Sequence, residues 1–341
     1  MPALLKMGVI GLGRMGKLYA NLLSSQIHGA NLYAVAEVND QARSRTAGEL
    51  CISHAFADFH ELLALSELDA VVITTPTSTH HDLVIAAAEA GKAILCEKPL
   101  ALTLAETRSA QEAVARAQMP LQVGFMRRFD AAYQKAKMLI DGGQIGYPVT
   151  FKSLSRDPFC PQLEYADPRK SGGLILDMGI HDIDLARWLM GSEVERVTAE
   201  GSTLVCKTLE AVGDIDNALI NLRFVNGALG NIEVSRNAFY GYDIRTEVLG
   251  SEGAVMVGVH QHTPVLLLTR GGAQYDITPY LMERFGEAYR AQVQHFVDCL
   301  ASGRTPLVSG ADAYAAYEIG VAATQSYQTG RPVILKELRT P

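Results

Sequence analysis

The stretch "GGLILDMGIHDIDLARWL", residues 172–189, crowds Asp177, His181, Asp182 and Asp184 into the first turns of an apolar-striped helix. Asp177 and His181 are four positions apart, a separation that puts two side chains on one helical face. An imidazole titrates at roughly 6.5 and can take a proton near neutral pH. A carboxylate beside it can bind hydroxyl groups or hold the ring's orientation, and at a helix start it also suits the N-cap and the dipole. Asp182 and Asp184 read as structural, through capping or a partner such as Arg187 or Arg128, while Ile183, Leu185, Ala186, Trp188 and Leu189 form the buried side. A second candidate lies in "CEKPL", where Lys98 ends an apolar run. Pro99 removes a backbone donor and pushes Lys98 out of helical geometry, so the chain turns sharply. Lys98 then either points into a ligand cleft, where an ammonium stabilises developing negative charge, or pairs with Glu97 at the surface.

These residues need a scaffold, and the first 120 residues supply one by alternating short apolar runs with helical periodicity. Strands that are apolar on both faces, each followed by a helix, indicate a parallel sheet covered on both sides. "GVIGLGRMG" places Gly11, Gly13 and Gly16 between the first strand and its helix, with Arg14 and Met15 in the motif. Gly11 permits the tight turn, Gly13 lets backbone approach a pyrophosphate, and Gly16 lets helix and strand pack closely. Glu37 closes the second strand about 20 residues later, where a carboxylate accepts hydrogen bonds from an adenosine ribose. Strand, glycines, helix and acid in register predict a dinucleotide site; Glu37 favours NAD over NADP, while a guanidinium at Arg14 beside the adenosine could partly welcome a 2′-phosphate. Thr75, Pro76 and Thr77 follow the fourth strand on the face where such sheets bind ligands. His80 reads as a helix-start residue with a structural hydrogen bond.

After "LQVGFM" the pattern changes to successive strands, "PVTFKSLSRDP", "VERVTAEGSTLV", "NALINLRFVNGALGNIEVS", "DIRTEVLGSEGAVMVG" and "PVLLLTR". Asn226-Gly227 predicts a two-residue hairpin, and "GSEG" at 250–253 another turn. The predicted fold class is α/β: a Rossmann dinucleotide-binding domain over residues 1–122, then an α+β domain over 123–341 with a large, mostly antiparallel open sheet. Helices are expected at about 129–141, 177–190, 283–301 and 310–329, on one face of that sheet. The other face is expected to carry Ile220, Leu222, Phe224, Ile232 and Val234 as an exposed apolar patch that sheet-to-sheet packing would bury.

Composition narrows the partners. The formal charge is −7 with no Lys/Arg cluster, so nucleic acid and anionic membrane are not expected partners. Five cysteines at scattered positions predict reduced thiols, neither disulfide framework nor zinc site. No signal peptide is read at the N-terminus and no uncharged run reaches the roughly 18 residues of a membrane span, giving a cytoplasmic expectation. No metal is expected.

The glycine motif, Glu97-Lys98-Pro99 and the 172–189 stretch, in this order, resemble the Gfo/Idh/MocA family, named for glucose–fructose oxidoreductase and inositol dehydrogenase. The resemblance covers essentially the whole chain. It is strongest to the polyol branch that includes the inositol 2-dehydrogenases, through "GFMRRFD", "SRDP", "LEY" and "YGYD". Met178-Gly179-Ile180 departs from relatives that carry a small hydroxyl residue there. The resemblance implies NAD-dependent oxidation of a ring hydroxyl to a ketone, with Lys98, Asp177 and His181 as the catalytic trio and a peptide before Pro99 that is cis. It also implies cofactor contacts from Gly11, Gly13, Arg14, Met15, Gly16, Glu37, Thr75, Pro76, Thr77, Glu97 and Lys98. Substrate contacts are implied for Lys98, Arg127, Asp157, Asp177, His181 and Tyr240. Set against these roles, Arg127 and Asp157 read equally as a structural ion pair, Tyr240 as a core tyrosine and Cys160 as a bystander near the substrate loop. The expected substrate is myo-inositol or scyllo-inositol, with a glucose-type aldose as the alternative. A non-catalytic dinucleotide-binding sensor is the alternative of another class, and the family implies a dimer or tetramer.

Overall fold

The structure is a computed structural model that describes residues 4–258 and 261–338. It divides into two compact units, one of residues 1–126 with 289–314, the other of 127–288 with 315–341. Among the described residues, no helix is long and apolar enough to cross a membrane.

The first unit alternates strands and helices: β1 (Leu5–Ile10), α1 (Arg14–Ser25), β2 (Ala30–Ala36), α2 (Asp40–Glu49), β3 (His54–Phe56), α3 (Phe59–Leu63), β4 (Ala70–Ile73), α4 (His80–Glu89), β5 (Ala93–Cys96), α5 (Leu104–Ala117) and β6 (Leu121–Val123). The strands pair in parallel in the order β3-β2-β1-β4-β5-β6. Every residue of β4, β5 and β6 is buried, as a sheet covered on both faces requires. Helix starts follow local chemistry: Asn39 caps α2 through Ala42 N–H, and Thr103 caps α5 through Glu106 N–H. The strand order reverses between β2 and β4 on either side of β1. That switch opens a crevice at the carboxyl ends of β1 and β4, where Gly11 and Thr75 lie.

The second unit begins with α6 (Ala131–Asp141), β7 (Pro148–Arg156), α7 (Leu163–Ala166) and α8 (Pro168–Ser171). A π-turn over Ile175–Gly179 then leads into α9 (Ile180–Met190). Strands β8 (Val194–Ser202), β9 (Asn217–Phe224), β10 (Leu229–Ser235), β11 (Asp243–Gly250) and β12 (Ala254–Val257) follow, with a small hairpin β13 (Leu267–Thr269) and β14 (Gly272–Gln274). Helices α10 (Leu281–Ser302) and α11 (Gly310–Thr329) are each divided between the units, and β15 (Val333–Ile334) and α12 (Leu335–Leu338) end the described chain. The seven-stranded sheet runs β12-β11-β7-β10-β9-β8-β15. It is antiparallel throughout except between β7 and β10.

Three expectations about this sheet are corrected. The β9–β10 hairpin has three loop residues rather than two, because Phe224 N–H bonds Ala228 O and Gly227 takes the left-handed position at φ +88°. "PVLLLTR" does not join the large sheet; its strand part is β13, which among the described strands pairs with β14. Ile220, Leu222, Phe224, Ile232 and Val234 do not form an exposed patch, since all are buried at 2% exposure or less. Period-two alternation was read correctly but the faces were exchanged. The solvent-facing positions of β9 and β10 are Leu219, Asn221, Arg223, Leu229, Asn231 and Glu233, with Asn231 bonded to Asn221.

Candidate functional site

In the first unit the glycine turn has the geometry its sequence requires. Gly11 has φ +89°, and a Cβ there would meet the Thr75 backbone nitrogen at 2.9 Å. A Cβ on Gly16 would lie 1.9 Å from the Gly11 carbonyl oxygen, so α1 packs on β1 as only glycine allows. At Gly13 nothing among the described residues lies within 4 Å of the Cβ position, which leaves backbone open to a pyrophosphate. Among the described residues no side chain caps α1, and its first N–H groups and dipole suit an anion. Arg14 and Met15 form the first turn of that helix.

Glu37 is clamped rather than solvated. One carboxylate oxygen accepts Leu12 N–H at 2.6 Å and the other accepts Asn39 N–H at 2.8 Å. The acid and the glycine turn therefore share one framework, and each oxygen keeps a lone pair for a ribose hydroxyl. These residues fit a bound dinucleotide.

His80 fixes the opposite rim of the same crevice. Its ring is buried, with Nε2 2.8 Å from the Thr75 carbonyl and Nδ1 2.7 Å from the Pro99 carbonyl. Burial pushes its pKa down, against the raising effect of the two carbonyls. Pro76 precedes a short 3-10 turn at Thr77–Thr79, and the Thr79 hydroxyl donates to that of Thr75 at 2.7 Å. The Lys98-Pro99 peptide is cis. Glu97 is not a surface partner for Lys98: it is buried, and its carboxylate accepts the Tyr19 hydroxyl at 2.6 Å and the Lys98 N–H at 3.1 Å. Gln292 donates to the Tyr19 oxygen at 2.7 Å. Burial raises the Glu97 carboxyl above its ordinary range. Neither Tyr19 nor Gln292 was singled out by sequence, because each reads as an ordinary amphipathic-helix residue.

In the second unit Asp177 lies within the π-turn rather than at the N-cap of an α-helix. The wider turn changes the angular relation between Asp177 and His181 from that of a plain α-helix, and such insertions recur at functional sites. Asp177 keeps 41% of its side chain exposed and lies 3.4 Å from Arg236 Nη2. His181 is 8% exposed in the first turn of α9.

The neighbouring acids are structural, with one change of partner. Asp184 receives Arg128 at 2.6 and 2.8 Å, as one of the two expected pairings has it. Arg187 pairs with Glu193 instead. Asp182, fully buried, accepts Arg127 Nη1 at 2.8 Å and Ser155 Oγ at 2.7 Å, and also bonds Ser153. Arg127 therefore does not pair with Asp157. Burial disfavours its charge, but Asp182 together with Tyr133 and Tyr242 more than offsets this and the guanidinium pKa is raised. At 2% exposure, with Nη2 on Ser155, Arg127 sits as a brace beneath α9.

Asp157 continues the β7 pairing, its N–H on Ser235 O and its carbonyl accepting Ala238 N–H, both at 2.9 Å. Tyr240 is not a core tyrosine: it is 47% exposed. Its hydroxyl donates to Asp243 at 2.7 Å and accepts from Arg156 at 2.9 Å. The expectation of reduced thiols fails at one pair, since Cys160 and Cys206 are disulfide-bonded. Their sequence separation of 46 concealed a Cα distance of 5.6 Å; chain spacing says nothing of two loops that the sheet brings together. Sequence reading also missed Arg236. It had a signal there, because Arg236 continues the inward alternation of Ile232 and Val234, where an ionised side chain needs a buried partner.

Comparison with known proteins agrees with both halves. Residues 5–125 match the profile described as "Oxidoreductase family, NAD-binding Rossmann fold", and residues 137–335 match "Oxidoreductase family, C-terminal alpha/beta domain". The chain is 44% identical over 327 residues to scyllo-inositol 2-dehydrogenase (NAD(+)) of Bacillus subtilis, covering 96% of this chain and 95% of that protein. It is 42% identical to Myo-inositol 2-dehydrogenase of Thermotoga maritima, covering 98% and 99%. The crystal structure of scyllo-inositol dehydrogenase from Lactobacillus casei, with bound NAD(H) and scyllo-inositol, superposes with a TM-score of 0.93 at 29% identity, covering 98% and 99%. The protein is a member of the Gfo/Idh/MocA oxidoreductase family, and its dinucleotide cofactor is NAD.

Proposed function

We propose that the chain oxidises one ring hydroxyl of a cyclitol, myo-inositol or scyllo-inositol, to the ketone, with His181 as acid/base and Lys98 and Asp177 assisting. The observation that carries this reading is the likeness over almost the whole chain to inositol dehydrogenases, joined to Asp177 in a π-turn that leads directly into the first turn of α9, where His181 lies. NAD, when bound, supplies the acceptor for the hydride that leaves the carbinol carbon. The proton on the carbinol oxygen must also leave, and the alcohol alone is far too weak an acid at neutral pH. His181 takes that proton. Lys98 stabilises the charge that develops on the oxygen. Asp177, acceptor-only when ionised, receives neighbouring ring hydroxyls, and Asp157 and Tyr240 add further polar contacts. Arg127 supports this site from beneath α9 through Asp182 and Ser155.

The test is initial rates of NAD reduction across a panel of inositols and aldoses. The fastest turnover is expected with myo-inositol or scyllo-inositol. Best activity on an aldose by a wide margin would replace the substrate with a glucose-type sugar. NAD binding without oxidation of any polyol or sugar would make the protein a dinucleotide sensor.

A further inference from the structure

We infer that Arg236 and Asp214 are positioning residues for this oxidation: the pair holds Asp177 in the orientation in which it receives the substrate's hydroxyls. The inference rests on the function proposed above and adds two residues to it.

Arg236 follows β10 directly and is 3% exposed. A guanidinium in such a place is costly unless its donors are paired. Its fork is shared between two carboxylates. Nη1 lies 3.0 Å from Asp214 Oδ2, with both side chains 4% exposed, and Nη2 lies 3.4 Å from Asp177 Oδ2, whose side chain is 41% exposed. Asp214 by itself balances the charge of the buried guanidinium. The second arm instead reaches a carboxylate that faces solvent.

Asp214 is anchored at the other end. Its Oδ1 accepts the Leu174 N–H at 2.9 Å, immediately before the π-turn. Gly173 has φ +74°, and a Cβ there would lie 2.7 Å from that same oxygen, so glycine is what permits the approach. The Arg236 backbone is tied as well, its N–H on Asp216 O at 2.9 Å. The π-turn is thus gripped at its entrance by Asp214 and at its third residue, Asp177, by Arg236. A π-turn interrupts the regular i→i+4 ladder of the α-helix it leads into, and an external clamp is what keeps Asp177 in one place.

The experiment is a double-mutant cycle of Arg236→Lys and Asp177→Asn, read as kcat and KM separately on whichever inositol or aldose the wild type oxidises fastest. Lysine keeps the charge and loses the two-armed fork. Arg236→Lys is expected to lower kcat/KM about tenfold or more, the scale of a lost charged hydrogen bond. NAD affinity should stay as in the wild type. In the Asp177→Asn background the same change should have almost no further effect. Wild-type kcat/KM in Arg236→Lys, or an equal loss with and without the Asp177 carboxylate, overturns the inference. If Arg236→Lys does not fold, Asp214→Asn retains the guanidinium and completes the same cycle with the same expected and opposing results. A wild type that oxidises none of these compounds overturns the proposed function itself, and this inference with it; a normal wild type with an additive cycle overturns only this inference.

Discussion

Asp182 and Arg127 form an ion pair 2.8 Å long in which neither side chain is more than 3% exposed. With Asp184 and Arg128 beside it, at 2.6 Å and 4% exposure or less, it explains why so apolar a helix begins with so many acids. Two of the acids lock α9 onto the segment before α6 and onto the β7 serines. The remaining two polar residues, Asp177 and His181, are then held at the mouth of a rigid support. Removing one member of a buried pair leaves an uncompensated charge, at a cost of about 3–5 kcal/mol. Arg127→Met is therefore expected to lose stability of that order in urea unfolding, with KM for the polyol nearly unchanged in the fraction that stays folded. A large rise in KM at wild-type stability would return Arg127 to the list of substrate contacts.

We propose that Glu37 sets the coenzyme preference through charge as well as through hydrogen bonds. Its oxygens are fixed by Leu12 and Asn39 N–H, so the carboxylate has no freedom to withdraw from a 2′-phosphate. Glu37→Ser should narrow the ratio of kcat/KM for NAD over NADP by at least about tenfold, since one charge contact of about 1.4 kcal/mol corresponds to that factor. An unaltered ratio would show that another group, Arg14 being the first to examine, discriminates between the two.

His80 predicts a pH dependence of stability. Its pKa in the folded chain is lowered, chiefly by burial, while in the unfolded chain it titrates at about 6.5. Between those two values the unfolded state binds more protons, so unfolding free energy rises with pH. The contribution is complete above about 6.5 and is lost as the pH falls toward the folded value. Acidifying from about pH 7.5 to about 5.5 should lower the Tm of the wild type more than that of His80→Gln. Equal slopes in the two proteins would mean that the buried ring is not titrating as its surroundings dictate.

Much of this was legible beforehand, and the reasons differ by region. The parallel sheet and its glycine turn were readable because each feature is local: a short apolar run, a glycine at positive φ, an acid at a strand end. The helices at 131–141, 281–302 and 310–329 followed from periodicity in the same way. What escaped depends on which distant segments meet. Alternation shows that β9 and β10 have two faces but not which of them the helices cover, so the expectation of an exposed face carrying Ile220 and Val234 is the reverse of what the fold has. The Cys160–Cys206 bond and the Arg236–Asp214 pair join loops that only the mixed sheet brings together. The π-turn at Ile175–Gly179 was hidden differently, because an inserted residue leaves the apolar stripe almost intact while moving Asp177.

His181 carries the last prediction, which separates an enzyme from a dinucleotide-binding sensor. General acid–base groups contribute on the order of 10²- to 10⁴-fold to a rate, so His181→Ala should reduce kcat by about that factor. Alanine leaves a space in place of a ring that is 8% exposed, and some loss of stability is expected with it. His181→Gln controls for this by filling most of the volume without an ionisable nitrogen. It should be as inactive as the alanine variant and closer to the wild type in Tm. NAD affinity by calorimetry should be preserved in both, since the residues that fit the dinucleotide belong to the glycine turn and to Glu37. Turnover within about tenfold of wild type in His181→Gln, well short of what an acid/base role contributes, would remove His181 from the proton transfer and leave Lys98 as the residue to test.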